Sequence, residues 1–171
     1  MAASSEGRQL KMLMRGEFIE YIKLVENGGK AGFDGETWFP HPSPEGGNDT
    51  IAYGHKLKND EAWMKEGVSD SDAENLLISD LQVAAEGANN VISEFGSDDF
   101  DALCQNCQEI FTDYVFNLGQ GGLRKFPKFV AATLDHNAEV MQQEYKRYYR
   151  NGYGEAKELE HRNAEFARMF F

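Results

Sequence analysis

The segment Thr50-Ile51-Ala52-Tyr53-Gly54-His55, read with Val25-Glu26-Asn27-Gly28-Gly29 upstream, decides how this chain is organised. Thr50 to Tyr53 predicts a short strand ending in a glycine. It sits inside a stretch (31–55) in which Pro40, Pro42 and Pro44 alternate, so no helix survives there. Upstream, Leu10, Met14, Phe18, Ile22 and Val25 recur at three- and four-residue steps and mark one face of a helix. Gly28-Gly29 stops that helix. Downstream, Ser69 or Ser71 can cap a new helix, with Asp70 and Asp72 in its positively polarised first turn. Ala73, Leu76, Leu77, Leu81, Ala84, Ala88 and Val91 then give the buried face of a helix of about 25 residues, long enough to join two lobes.

The rest of the chain reads as helix. Ser97 and Asp98 are expected to open a helix with Phe100, Leu103, Cys104, Cys107, Ile110, Phe111, Tyr114 and Leu118 inward, ended by Gly119 and Gly121-Gly122. Pro127 suits a first turn. Two further helices are expected over 137–150 and 155–169, separated by Asn151-Gly152-Tyr153-Gly154. The fold class is therefore α+β and mainly helical. It is read as a single domain over 1–171: a small β lobe at about 28–60, and a helical lobe at about 69–171 that includes the N-terminal helix.

Composition narrows the function. The chain has 171 residues, with 29 acidic against 17 basic side chains and a formal net charge of −12. Such a surface repels nucleic acid and anionic membranes, so neither is an expected partner. No run of about 18 apolar residues exists, so no membrane insertion is expected. Met1 to Arg15 lacks a continuous apolar core and a cleavage pattern, which predicts no signal peptide. Cys104 and Cys107 form a C-x-x-C inside an apolar-periodic stretch. They read as two buried small hydrophobes, because two thiols alone cannot complete a four-ligand zinc site. His41, His55, His136 and His161 show no ligand spacing, and no metal or cofactor is expected. Tyr145, Tyr148, Tyr149, Arg147 and Arg150 form an aromatic–basic patch, read as helix packing with a few ion pairs.

Glu26 is the strongest catalytic candidate. It follows apolar Val25 in the last turn of a helix, where the dipole disfavours a carboxylate, so its pKa should rise. A raised carboxylic acid suits general acid catalysis near neutral pH. The neighbouring loop, with Trp38, Phe39 and the alternating prolines, reads as a stiff loop around an aromatic cluster or as a lip on which sugars could stack.

In order along the chain, these features resemble the phage-type lysozymes, the endolysin muramidases. There a helix ending in Glu-Gly precedes a β lobe with a Thr-Ile-Gly-Tyr-Gly-His motif, matched here by Glu26-Asn27-Gly28 and Thr50-Ile51-Ala52-Tyr53-Gly54-His55. The likeness continues through Val68-Ser69-Asp70 to Leu81, Phe100-Asp101-Ala102-Leu103, Val115-Phe116-Asn117-Leu118-Gly119, Gly122-Leu123, Phe126 and Glu160-His161-Arg162-Asn163-Ala164-Glu165. It implies a lysozyme-like fold and a glycosidase cleaving the β-1,4 bond between N-acetylmuramic acid and N-acetylglucosamine in peptidoglycan glycan strands.

The same resemblance makes Glu26 the acid and Thr50 the residue that places water or stabilises the transition state. Lys56 and Phe116 would line the cleft, and His55 would tie the β lobe to the long helix. Two carboxylates flanking the bond are the ordinary requirement. However, 23 residues separate Glu26 from Thr50, a longer spacing than the family's, and no Asp stands at the family's position. Glu45 is the preferred second catalytic residue, with Asp34, His41 and Asp49 as alternatives. Without a second carboxylate, a lytic transglycosylase remains open. Ala52 for the motif's middle glycine reads as a mild change in a strand.

The resemblance implies a phage endolysin waiting in the host cytoplasm for a holin, or a virion-associated lysozyme carried to the periplasm. The acidic balance favours the virion. A non-catalytic structural or wall-binding part of a phage tail or baseplate, with other tail proteins as partners, is the alternative reading. Retention of Glu26 favours the enzyme.

Overall fold

The computed structural model describes residues 12–43 and 47–171. Helix α1 (Gly16–Asn27) forms where the apolar steps predict it, with Phe18, Tyr21 and Ile22 buried, and ends at Gly28. Strand β1 (Thr37–Trp38) pairs antiparallel with β4 (Val68–Ser69), and β2 (Thr50–Ile51) with β3 (His55–Lys56). A 3-10 helix, Asn59–Glu66, lies between β3 and β4 and buries Met64. The β1–β4 pairing carries the strand-containing lobe up to Ser69.

Ser69 is the cap of α2 (Asp70–Ser93): its side chain accepts a hydrogen bond from the Asp72 N–H at 3.1 Å. The helix runs 24 residues, about 36 Å at 1.5 Å per residue. Its buried face holds Ala73, Leu77, Leu81, Ala84, Ala85, Ala88, Val91 and Ile92. Each fully buried Leu or Ile there contributes roughly 1.5–3 kcal/mol. The facing helix is α3 (Gln105–Arg124), and its backbone breaks at Gly119, φ +73. Helices α4 (Pro127–Leu134), α5 (Ala138–Glu144) and α6 (Glu160–Phe170) complete the helical lobe. The first and last helices meet where Phe18 and Tyr21 of α1 contact the Phe170 ring.

Four local expectations need correction. First, α3 does not begin at Ser97. A 3-10 turn at Phe100–Ala102 intervenes and Cys104 is the helix cap, accepting from the Cys107 N–H at 3.3 Å. The cysteines are therefore not two buried hydrophobes. Cys104 is exposed and Cys107 buried, and burial beside Cys104 pushes the Cys107 thiol up to about 12.

Second, residues 148–150 and 156–158 are not helical. They form a hairpin, β5 (Tyr148–Arg150) with β6 (Ala156–Glu158). Turn chemistry outweighs the periodicity: the Asn151 side-chain Oδ1 accepts from the Tyr153 and Glu155 N–H groups at 2.9 and 3.0 Å, and Gly154 takes φ +77. Third, the aromatic–basic patch is split. Arg147 is fully buried, whereas Tyr148 and Tyr149 are exposed.

Fourth, Ala52 is not in a strand. It begins the turn between β2 and β3 at φ +56.

Candidate active site

Glu26 is the penultimate residue of α1, and the helix stop at Gly28 leaves it facing the β lobe. Its side chain is 18% exposed, and Oε1 accepts from Arg162 Nη1 at 2.6 Å. Arg162 comes from the first turn of α6 and donates its other nitrogen, Nη2, to Asp113 Oδ1 at 2.7 Å. Asp113 is completely buried on α3. Its second oxygen accepts from Arg147 Nη2 and from the Tyr21 hydroxyl. Arg147 also donates to Asn117 Oδ1 at 3.0 Å and lies over the Tyr114 ring at 3.8 Å. The Asn163 amide pins Arg147 through its backbone N–H and C=O, each at 3.0 Å.

The charges in this chain set the protonation states. Burial would raise the Asp113 carboxyl, but Arg147 and Arg162 outweigh it and hold the group below its usual range. For Glu26 the balance is reversed. Burial pushes its carboxyl above the ordinary range, Arg162 offsets only part of this, and the negative Asp113 adds to the rise. The hydrogen bond from Arg162 thus fixes the orientation of a carboxyl whose pKa burial still raises.

Two hollows meet at Glu26. One, of about 350 Å³, is lined by Glu26, Asn27, His41, Thr50, Gly54 and Lys56, among others. The other, of about 440 Å³, adds His55, Asp80, Phe116 and Asn117 to Glu26, Gly54 and Lys56. Together they describe a groove crossing from the β lobe to α3 with the acid at its centre. A larger hollow of about 600 Å³ beside Lys125, Phe126 and Tyr148 shares no residue with this groove and holds no buried acid. Gly54 is required by its place. It sits at φ +84, and a Cβ there would lie 3.2 Å from Glu26 Oε2.

The expected site residues separate clearly. Thr50, Lys56 and Phe116 all line the groove with Glu26. Phe116 is half-buried and also packs on the core. Glu45 lies outside the described residues. Asp34 is used locally: its carboxylate accepts from the Glu36 and Thr37 N–H groups at 2.9 and 2.7 Å and is held below its usual range. Asp49 lines a different hollow, with Asn48, Leu57 and Lys58. His41 is the alternative that does reach the groove. Its backbone pairs with Thr50 in both directions at 2.8 and 2.9 Å, and its Nδ1 lies 3.5 Å from the Thr50 hydroxyl. Its Nε2 is buried with no protein partner.

His55 joins the β lobe to two other elements. Nδ1 meets Asp80 of α2 at 2.8 Å and Nε2 meets Glu61 of the 3-10 helix at 3.0 Å. The aromatic loop is not a sugar platform at Trp38. That ring is fully buried, stacks on Phe33 at 4.5 Å and donates to Asp70 at 2.9 Å. Sequence reasoning missed Asp113 and the buried role of Arg147. An acid between Ile110 and Tyr114 on a buried helical face was the available signal.

A family model described as phage lysozyme matches residues 32–165. That range begins after Glu26. No curated protein matches the chain. Solved structures share the fold, two of them as follows. The muramidase domain of SpmX from Asticaccaulis excentricus superposes with a TM-score of 0.60 at 20% identity, covering 93% of this chain and 95% of that one. The endolysin from Escherichia coli O157:H7 phage FAHEc1 superposes with a TM-score of 0.59 at 18% identity, covering 95% and 93%. Among the described residues no helix is long and apolar enough to cross a membrane.

Proposed function

We propose, since the chain belongs to the phage lysozyme family, that it hydrolyses the β-1,4 bond between N-acetylmuramic acid and N-acetylglucosamine with Glu26 as general acid. The observation that carries this reading is a carboxyl held above its usual range at the junction of two hollows. A glycan strand laid along the groove brings its scissile oxygen to Glu26, which protonates the departing sugar. Arg162 fixes the carboxyl's direction and Asp113 fixes Arg162. Lys56 and Phe116 contact the strand on the α3 side.

On the other face, Thr50 and His41 hold the attacking water. The His41 ring and the Thr50 hydroxyl, 3.5 Å from its Nδ1, line the same hollow as Glu26 and offer hydrogen-bonding groups where a family carboxylate would otherwise act. Glu45 remains the competing candidate for that role. The acidic surface supports delivery on a phage particle, where attachment replaces electrostatic attraction to the wall.

Digestion of purified peptidoglycan with product masses read by mass spectrometry tests this. Wild type should release fragments with reducing N-acetylmuramic ends, with activity falling as pH rises through the raised Glu26 pKa. Glu26→Gln should release none. His41→Ala should lose on the order of a hundredfold in rate, with Glu45→Gln close to wild type. Anhydro-muramic ends would replace hydrolysis by transglycosylation. Fragments unaffected by Glu26→Gln would remove Glu26 from the mechanism.

A further inference from the structure

The C-x-x-C pair lies away from the groove, where the start of α3 meets the turn between α4 and α5. Cys104 caps α3, and its sulfur lies 2.7 Å from that of Cys107, one turn into the helix. A third donor arrives from another part of the chain. His136 follows α4 at φ +54, a conformation L side chains rarely adopt, and its Nδ1 lies 3.8 Å from Cys107 Sγ. The turn is held by His136 N–H to Thr133 C=O at 3.2 Å and Asn137 N–H to Ala132 C=O at 2.8 Å. One sulfur, the other sulfur and one imidazole nitrogen all lie within 4.8 Å of one another.

We propose that Cys104, Cys107 and His136 form a binding site for a thiophilic divalent cation of the zinc class, clipping the first turn of α3 to the α4–α5 turn. The donor set is the borderline-soft one that zinc takes, two thiolates and an imidazole. With zinc–sulfur bonds of about 2.3 Å and zinc–nitrogen bonds of about 2.0 Å, tetrahedral donors stand about 3.5–3.8 Å apart. The Cys107–His136 separation already fits. The two sulfurs must open by about 1 Å, and Cys104, the exposed one of the pair, is the side chain that turns. Because Cys104 and His136 both face solvent, water completes the fourth position and the ion has an entry path. Binding sends the two thiol protons to solvent. None of the three residues lines the groove at Glu26, so the site is independent of the glycosidase reading.

The test is anaerobic titration of the reduced, untagged full chain with cobalt(II), then zinc(II). One equivalent of cobalt should produce sulfur-to-cobalt charge-transfer absorption and tetrahedral visible bands, both displaced by zinc. Zinc should also raise the thermal midpoint. Cys104→Ser and His136→Asn change exposed positions, and asparagine tolerates the positive φ. Each should weaken cobalt binding by at least about tenfold with an unchanged circular dichroism spectrum. Absence of the charge-transfer band would overturn the site, as would binding indifferent to His136→Asn. So would thiols that close to a disulfide and never take up metal.

Discussion

At the scale of single residues, Ala52 shows how a motif can change without losing its geometry. It occupies φ +56 at the first position of the β2–β3 turn, and its carbonyl accepts from the Asn27 amide at 2.8 Å, tying the turn to the end of α1 beside Glu26. Glycine there would relieve a left-handed strain of about 1–2 kcal/mol. It would also add unfolded-chain freedom costing about 0.5–1 kcal/mol and forfeit a buried methyl worth about 0.8 kcal/mol. These nearly cancel. Ala52→Gly should therefore leave urea-unfolding stability within about 0.5 kcal/mol of wild type. Ala52→Val, β-branched at positive φ and crowded in a buried turn, should lose about 2 kcal/mol or more. A valine variant as stable as wild type would mean that the turn is not strained.

At the scale of elements, His55 is the joint between the β lobe and α2. Hydrogen bonding to Asp80, then to Glu61, holds the imidazole above its ordinary pKa against the opposing effect of burial. A group raised in this way stabilises the fold fully below its unfolded pKa of about 6.5. That contribution is lost as pH rises through the folded value. Glu61 is held below its usual range, with His55 among the causes, so its share appears above the ordinary carboxylate pKa and fades in acid. Wild type should therefore exceed His55→Gln in thermal midpoint by the widest margin in mildly acidic buffer, the gap narrowing toward alkaline pH. An equal or widening gap at alkaline pH would mean that the imidazole is neutral in the joint.

Elements were legible in the sequence where a local signal and the packing agreed. The face of α2 and the stop at Gly28 stand as read, and Ser69, one of the two serines expected, is the cap. The hairpin over 148–158 was not legible by periodicity, because Asn151 and Gly154 decide it and their spacing was read only as a helix break. The groove was legible in Glu26, Thr50, Lys56 and Phe116, each beside a recognisable motif. The Asp113–Arg147–Arg162 chain was not, since its partners lie 34 and 49 residues apart. The donor trio of Cys104, Cys107 and His136 needed the turn after α4 to be placed before it could be seen.

At the scale of the whole molecule, charge opposes the proposed substrate. The chain carries a formal charge of −12, and bacterial walls bearing anionic polymers repel it at a distance. The groove itself offers Lys56 and, beside it, Lys58, so attraction is confined to short range. At about 0.01 M salt the repulsion reaches roughly 30 Å, and at 0.15 M about 8 Å. Encounter with an anionic wall should therefore speed up as salt rises over that interval, while the groove's own contacts are screened much less. Measured as initial turbidity loss, digestion of walls retaining their anionic polymers should rise several-fold. Digestion of walls stripped of those polymers should stay nearly flat. A rate that falls with salt on both substrates would mean that Lys56 and Lys58, not the net charge, govern the approach. The protein would then need no carrier to reach its wall.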